Sequence, residues 1–358
     1  MFRDTYKVGL EGYEKFWTRT QTNRPTLHMT YNDPKPGNDL PYHYPANPEE
    51  QWLDEVNNYY WFKNWVRNSG VLAEGVPTLF TNLGAGCLSA CLGGGYKLAP
   101  STIWFAPPIV HSWDNPPEPV LDEQSLMWQH VVRLQNYYAH DPEICFSITD
   151  LGGIMDIVAS LRGTENLLYD LYDDPEAVKA YSAKVTDQWF IAYDKQIEVI
   201  RKAGLPYASW MGIPSEKPWY PLQCDFCAMI SPAQFEEFVL PDLVRQTEYM
   251  ERSIYHLDGP GELPHLDMLL DIPGLTGIQW VPGDGRPHTA DPAWFDIFRR
   301  IQDKKKNLVL LGAISEDNID RAERLIKSID PTGVYISCHF SSRERAEDML
   351  EKITRWSE

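Results

Sequence analysis

The chain has 358 residues, of which 43% are hydrophobic and 23% charged, values of a globular protein long enough to bury a sizeable core. Its 32 basic and 51 acidic residues leave a formal charge of −19, the wrong sign for nucleic acid or an anionic membrane surface, so neither is expected as a partner. Nothing at Met1 to Phe16 reads as a secretory leader and no apolar run is long enough to span a bilayer, so the expected location is the cytoplasm.

The first third, to about Pro119, is rich in Tyr, Trp, Pro, Asn and Gly. It predicts strands over Thr26 to Tyr31 and Pro77 to Asn82, with one helix from about Glu49 to Asn68 between them. Gly84 to Pro119 reads as a long irregular excursion of the kind that covers a pocket. From Glu143 the rhythm is regular: a strand over Ile144 to Thr149, helices over Gly152 to Leu161 and Asp174 to Ala203, and a strand over Tyr207 to Met211. Ser231 followed by Pro232 is an N-cap with proline at the first helical position, opening a helix to about Arg252. Ser253 to Pro260 then reads as a short buried strand ending on a histidine, a carboxylate and a Gly-Pro turn. Strand and helix pairs follow at Gly277 to Val281 with Pro292 to Lys304, Leu308 to Leu311 with Glu316 to Ile326, and Val334 to Ser337 with Ser342 to Trp356. About eight strands, most followed by a helix, predict a single (β/α)8 barrel over residues 1–358, in which 1–119 is the less regular part.

In such a fold functional groups collect at the C-terminal ends of the strands. That nominates Tyr31 to Asp33, Asn82, Asp150, Trp210, His256 with Asp258, Trp280, Gly312, and Cys338 with His339. His256 and Asp258 are two apart, so strand alternation points both to one face. Asp225, on the loop after the fourth strand, can reach the same mouth. Each nominee also has a plain structural reading: a hydrogen-bonded imidazole for His256, a helix cap for Asp150, core packing for Trp210 and Trp280, a small buried hydrophobe for Cys338. Six cysteines in so long a chain do not make a disulfide framework. Cys224-x2-Cys227 and Cys87-x3-Cys91 lie too far apart for an expected four-cysteine cage, and Gly84-Ala-Gly86 lacks the third glycine of a dinucleotide fingerprint.

Several blocks from Glu143 onward have a familiar order: Asp150-Leu-Gly-Gly-Ile-Met-Asp156 with Leu161-Arg-Gly163 and Leu171-Tyr-Asp-Asp-Pro175, then Ile230-Ser-Pro-Ala-Gln-Phe-Glu-Glu-Phe-Val-Leu-Pro241, then His256-x-Asp258-Gly259. In these the chain resembles the uroporphyrinogen decarboxylase superfamily, which includes the cobalamin-related methyltransferases and whose fold is a (β/α)8 barrel. The decarboxylases hold an acidic tetrapyrrole with an Arg-Gln-Ala-Gly-Arg motif near the N-terminus, and Arg19-Thr-Gln-Thr-Asn-Arg24 lacks that pattern. The methyltransferase branch binds zinc with His-x-Cys-Gly and a later cysteine, for which this chain offers His256-x-Asp258-Gly259 and Cys338, a carboxylate replacing one thiolate. The resemblance therefore implies a divalent ion, zinc, held by His256, Asp258 and Cys338, activating a thiol or other acceptor for one-carbon transfer, with a corrinoid protein or a folate as the other party. Asp150 and Asp225 are then the expected catalytic carboxylates, and Trp210, Trp280 and Tyr31 the expected lining for a small-molecule substrate. Two other readings stand beside it: a metal-free decarboxylase-like lyase using the carboxylates, and a small-molecule binding barrel without catalysis.

Overall fold

The computed structural model describes residues 6–37 and 39–358. A helix α1 (Lys7–Trp17) precedes the first strand, β1 (Thr26–Asn32). The single helix expected over 49–68 is two, α2 (Pro48–Leu53) and α3 (Glu55–Arg67). Asp54 divides them: its backbone leaves the helical region while its side chain accepts from Asn57 N, so one residue ends the first helix and caps the second. A strand that periodicity did not reveal, β2 (Ser69–Ala73), then turns back antiparallel to β1. The expected second strand is short, β3 (Thr78–Leu79), and leads into the excursion, which is ordered as α4 (Leu88–Cys91) and a hairpin β4 (Lys97–Leu98) and β5 (Ile103–Trp104). It packs on the main body, with Ile109 N and Val110 N both donating to Leu161 O.

After α5 (Leu126–Tyr138) and β6 (Cys145–Phe146) come α6 (Ile154–Arg162), α7 (Thr164–Asp173) and α8 (Pro175–Ala203). The strand expected over Tyr207 to Met211 does not form; Tyr207 makes one isolated bridge with Ser215, and the next strand is β7 (Trp219–Leu222). Pro218 and Pro221 hide that strand in the sequence, but β7 is the last strand of its sheet, where a residue without an N–H is tolerated. The capping box at Ser231 opens α9 (Pro232–Phe238), and α10 (Leu240–Tyr249) ends before β8 (Arg252–Asp258). The remainder is α11 (Leu266–Leu270), β9 (Gly277–Val281), α12 (Phe295–Asp303), β10 (Asn307–Ile314), α13 (Ile319–Ser328), β11 (Val334–Phe340) and α14 (Arg343–Trp356).

These strands make a seven-stranded sheet in the order β2-β1-β11-β10-β9-β8-β7, parallel throughout except for β2, with β3 and β6 paired separately and parallel. The helix layer covers one face of the sheet in a large core. The other face, called inner here, holds a small second core in which Trp219, Ile254, Val309 and Tyr335 meet Tyr13, Phe16 and Trp17 of α1. Cys145 of β6 and Ala208 and Met211 of the loop before β7 enter this same core, so segments outside the sheet also close around it. The foot of β8 is tied to α1: Arg252 donates to both Glu14 carboxylate oxygens at 2.8 and 2.6 Å and lies 5.2 Å from the Trp17 ring.

Candidate functional site

Strand alternation decides which side chains reach the inner face. In β8, Ile254 faces the inner core, so His256 and Asp258, two and four residues on, point the same way above it. In β9 the residue opposite His256 is Gln279, whose side chain faces inward with it. By the same rule Tyr31, Trp280 and Cys338 face outward, and all three sit in the large core under the helices. Trp280 packs on Trp294 at 5.0 Å, Tyr31 lies against Gly70, and the Cys338 thiol donates to His28 O at 3.8 Å, with burial pushing its pKa up. None of the three joins the mouth. His339, adjacent to Cys338, takes the opposite face and bonds Thr30 Oγ1 at 2.8 Å and Asn32 Oδ1 at 3.1 Å.

What does converge is Asp225, His256 and Asp258, which each place a ligand atom within 4.8 Å of the others'. Asp225 opens a 3₁₀ turn (Asp225–Met229) immediately after β7, and that turn is clasped by Asp156 of α6, which accepts from Asp225 N at 3.1 Å and Phe226 N at 2.8 Å. The clasp requires Gly153: a Cβ there would lie 2.1 Å from Gln223 O and 2.5 Å from the Asp156 carboxylate. Gly152 has φ +88 and passes so close to Gly86 that a side chain would strike its Cα at 2.6 Å, so the Gly-Gly pair lets three chain segments meet beside the site.

His256 is oriented from below. Its Nδ1 is 2.8 Å from Gln279 Oε1, a carbonyl that can only accept, so Nδ1 donates that bond and Nε2 is the ring nitrogen left for a ligand. That Nε2 faces Asp258 at 3.9 Å. The Trp210 ring stands edge-on to the imidazole at 5.0 Å, and its buried indole N–H has no partner among the described residues. It is the one aromatic nominee that lines the site, although the segment carrying it is a loop.

The surroundings are acidic. Although Asp225 is exposed, desolvation by the protein packed around it raises its carboxyl, with His256 opposing and Asp258 adding to the rise. Asp150, at the end of the segment after β6, is buried and pushed up to about 6 by desolvation, against hydrogen bonds from Tyr220 Oη at 3.0 Å and Gly152 N at 2.9 Å. Asp156 rises to about 7, by burial first and the Asp225 charge second. Behind the turn lies a buried polar cluster: Tyr255 Oη donates to Glu262 at 3.2 Å and stands 3.7 Å from the Cys227 sulfur, and His265 Nε2 is 2.9 Å from Cys227 O. Burial pushes Glu262 up to about 11, so it is a neutral acid at physiological pH.

A histidine nitrogen with a free lone pair and two carboxylates is a donor set that suits borderline and hard divalent ions, so the residues present fit a metal without any thiolate. Gln279, Tyr220 and Asp156 were not among the sequence nominees. Gln279 had a signal, a single amide inside the apolar strand Gly277-Ile-Gln-Trp-Val281, and Asp156 lay inside the Asp150 block.

No protein-family profile matches the chain, and no curated protein matches it significantly. Among solved structures it is similar to a methyltransferase from Methanosarcina mazei, with a TM-score of 0.61 over 98% of this chain and 99% of that chain, at 11% sequence identity. At that identity the likeness is one of fold, and it extends over the whole length of both chains. Among the described residues no helix is long and apolar enough to cross a membrane.

Proposed function

We propose that this chain is a methyltransferase-like enzyme on a (β/α)8 barrel, related to the uroporphyrinogen decarboxylase superfamily, and that it binds a divalent ion through Asp225, His256 and Asp258. The barrel reading is supported by the full-length likeness to a methyltransferase and by the inner core in which β6 and the 207–213 loop meet the sheet. The metal reading rests on one observation, the convergence of those three side chains. Asp225 takes the place that Cys338 was expected to hold.

A divalent ion there, zinc being the first candidate, would act as a Lewis acid that lowers the pKa of an incoming thiol or water. The chain's own residues do the rest. Gln279 holds the His256 tautomer, Asp156 holds the Asp225 turn, and the Trp210 ring walls the site beside the imidazole. Asp150, its carboxyl pushed up to about 6, can give up or take back a proton just below neutral pH within the field of His256 and Asp225. The acidic surroundings favour neutral or cationic small molecules over polycarboxylates, which argues against a tetrapyrrole acid as substrate. A corrinoid protein or a folate remains the proposed carrier of the one-carbon unit.

Metal analysis after reconstitution tests this. The chain should retain about one divalent ion, and His256→Ala and Asp225→Ala should each lose it while Cys338→Ala keeps it. Wild-type metal content no higher than that of His256→Ala would end the metal reading. A second reading, a metal-free lyase, is favoured by the raised Asp150 and Asp156 carboxyls, which can donate a proton to a carbanion-like centre. It predicts turnover in the presence of a chelator.

A further inference from the structure

Asp225 lies between two cysteines. Cys224 and Cys227 flank the start of its 3₁₀ turn, and Cys227 N donates to Cys224 O at 3.0 Å. A hydrogen-bonded turn of this kind brings its end Cα atoms within about 7 Å, and a disulfide accepts Cα separations of about 4.4 to 6.8 Å. The pair can therefore be bridged without moving the turn's backbone far. Both side chains are buried, but the turn they bracket opens to solvent through Asp225. Neither thiol has a part in the function proposed above.

We propose that Cys224 and Cys227 are a reversible dithiol and disulfide pair, a redox modification site on the turn that carries Asp225. With a peroxide as oxidant, the Cys227 sulfur attacks one peroxide oxygen; the O–O bond breaks and gives a sulfenic acid and water. The Cys224 sulfur then attacks the sulfenic sulfur, forming the S–S bond and releasing a second water. Two sulfurs lose two electrons in all, and the peroxide gains them. The bond ties the turn at both sides of Asp225. Its effect on the site rests on Asp225 being a metal ligand; the thiol chemistry does not.

The test uses the full chain, reduced, freed of reductant, treated with hydrogen peroxide, then alkylated in denaturant and mapped by mass spectrometry. The six titratable thiols should fall to four, with the loss mapped to Cys224 and Cys227 and reversed by dithiothreitol. Cys227→Ser should begin with five and keep five, and Cys224→Ser, which retains the attacking sulfur, should begin with five and lose that one as a sulfenic acid without forming a disulfide. Six thiols surviving the peroxide, or a loss that maps instead to Cys87 and Cys91, overturns the proposal. Zinc titration of the reduced and oxidised forms reads the consequence separately. An affinity that differs between the forms supports the coupling, and a disulfide that forms with unchanged affinity overturns the coupling. Zinc binding to neither form counts against the metal reading and leaves the thiol result standing.

Discussion

His256 presents one nitrogen to Gln279 and the other to two carboxylates, so its value as a ligand depends on a residue that would never touch the metal. Gln279→Ala should weaken zinc binding roughly 10- to 100-fold, read by competition with a chelating dye, while the fold is retained by circular dichroism. An equal affinity would show that the imidazole is held by something else. Asp150 makes a prediction in pH. Its folded pKa, about 6, lies above the ordinary value of 3.8, so the fold binds this proton more tightly than the unfolded chain does. Stability from this group is fully present below about pH 4 and is lost as pH rises through about 6, with a cost on the order of 3 kcal/mol above that. Asp150→Asn should flatten the stability profile between those limits, measured by urea unfolding at several pH values. An unchanged profile would mean that the Tyr220 and Gly152 hydrogen bonds fully offset the burial.

At the scale of elements, the site depends on α1 and β8 being fixed to each other. Arg252 is buried at the foot of the strand that ends in His256 and Asp258, and Glu14 is its charged partner. Removing that partner leaves a buried guanidinium whose remaining contacts among the described residues are the Ser215 hydroxyl at 2.8 Å and the Trp17 ring. Glu14→Ala should therefore destabilise the chain by about 3 kcal/mol, visible as a lower urea midpoint. The expected elements that failed did so for local reasons. Asp54 splits a periodic helix because its carboxylate competes for the backbone of the next turn. Trp219 to Leu222 escaped notice because two prolines mark it as turn-like, while only its position at the edge of the sheet permits them.

For the whole molecule, the −19 charge has a local counterpart, since the candidate site gathers Asp225 and Asp258 with the buried Asp150 and Asp156 close by. A cation bound there stabilises the fold by mass action, by about 2.7 kcal/mol when free zinc is about 100 times its Kd. Thermal melts with and without zinc should show that rise in the wild type and none in His256→Ala. A rise of equal size in both would place the binding elsewhere on the acidic surface.

The alternation of strands with helices was legible in the sequence because apolar periodicity is a local property, and it carried the parallel sheet and the strand ends. The pairing of His256 with Asp258 was legible for the same reason: two residues apart on one strand share a face wherever that strand lies. The strands do alternate, His28, Thr30 and Asn32 against Leu27, Met29 and Tyr31, and Gln279 against Ile278 and Trp280, but which of the two sets faces the inner core was not legible at Tyr31, Trp280 and Cys338. Asp225, 31 residues before His256 and on a loop, was legible as a residue of the mouth, but its convergence with His256 and Asp258 was decided by the tertiary structure. The clasp of Asp156 on its turn, made possible by the close passage of Gly152 and Gly153, is what brings its carboxylate to the histidine.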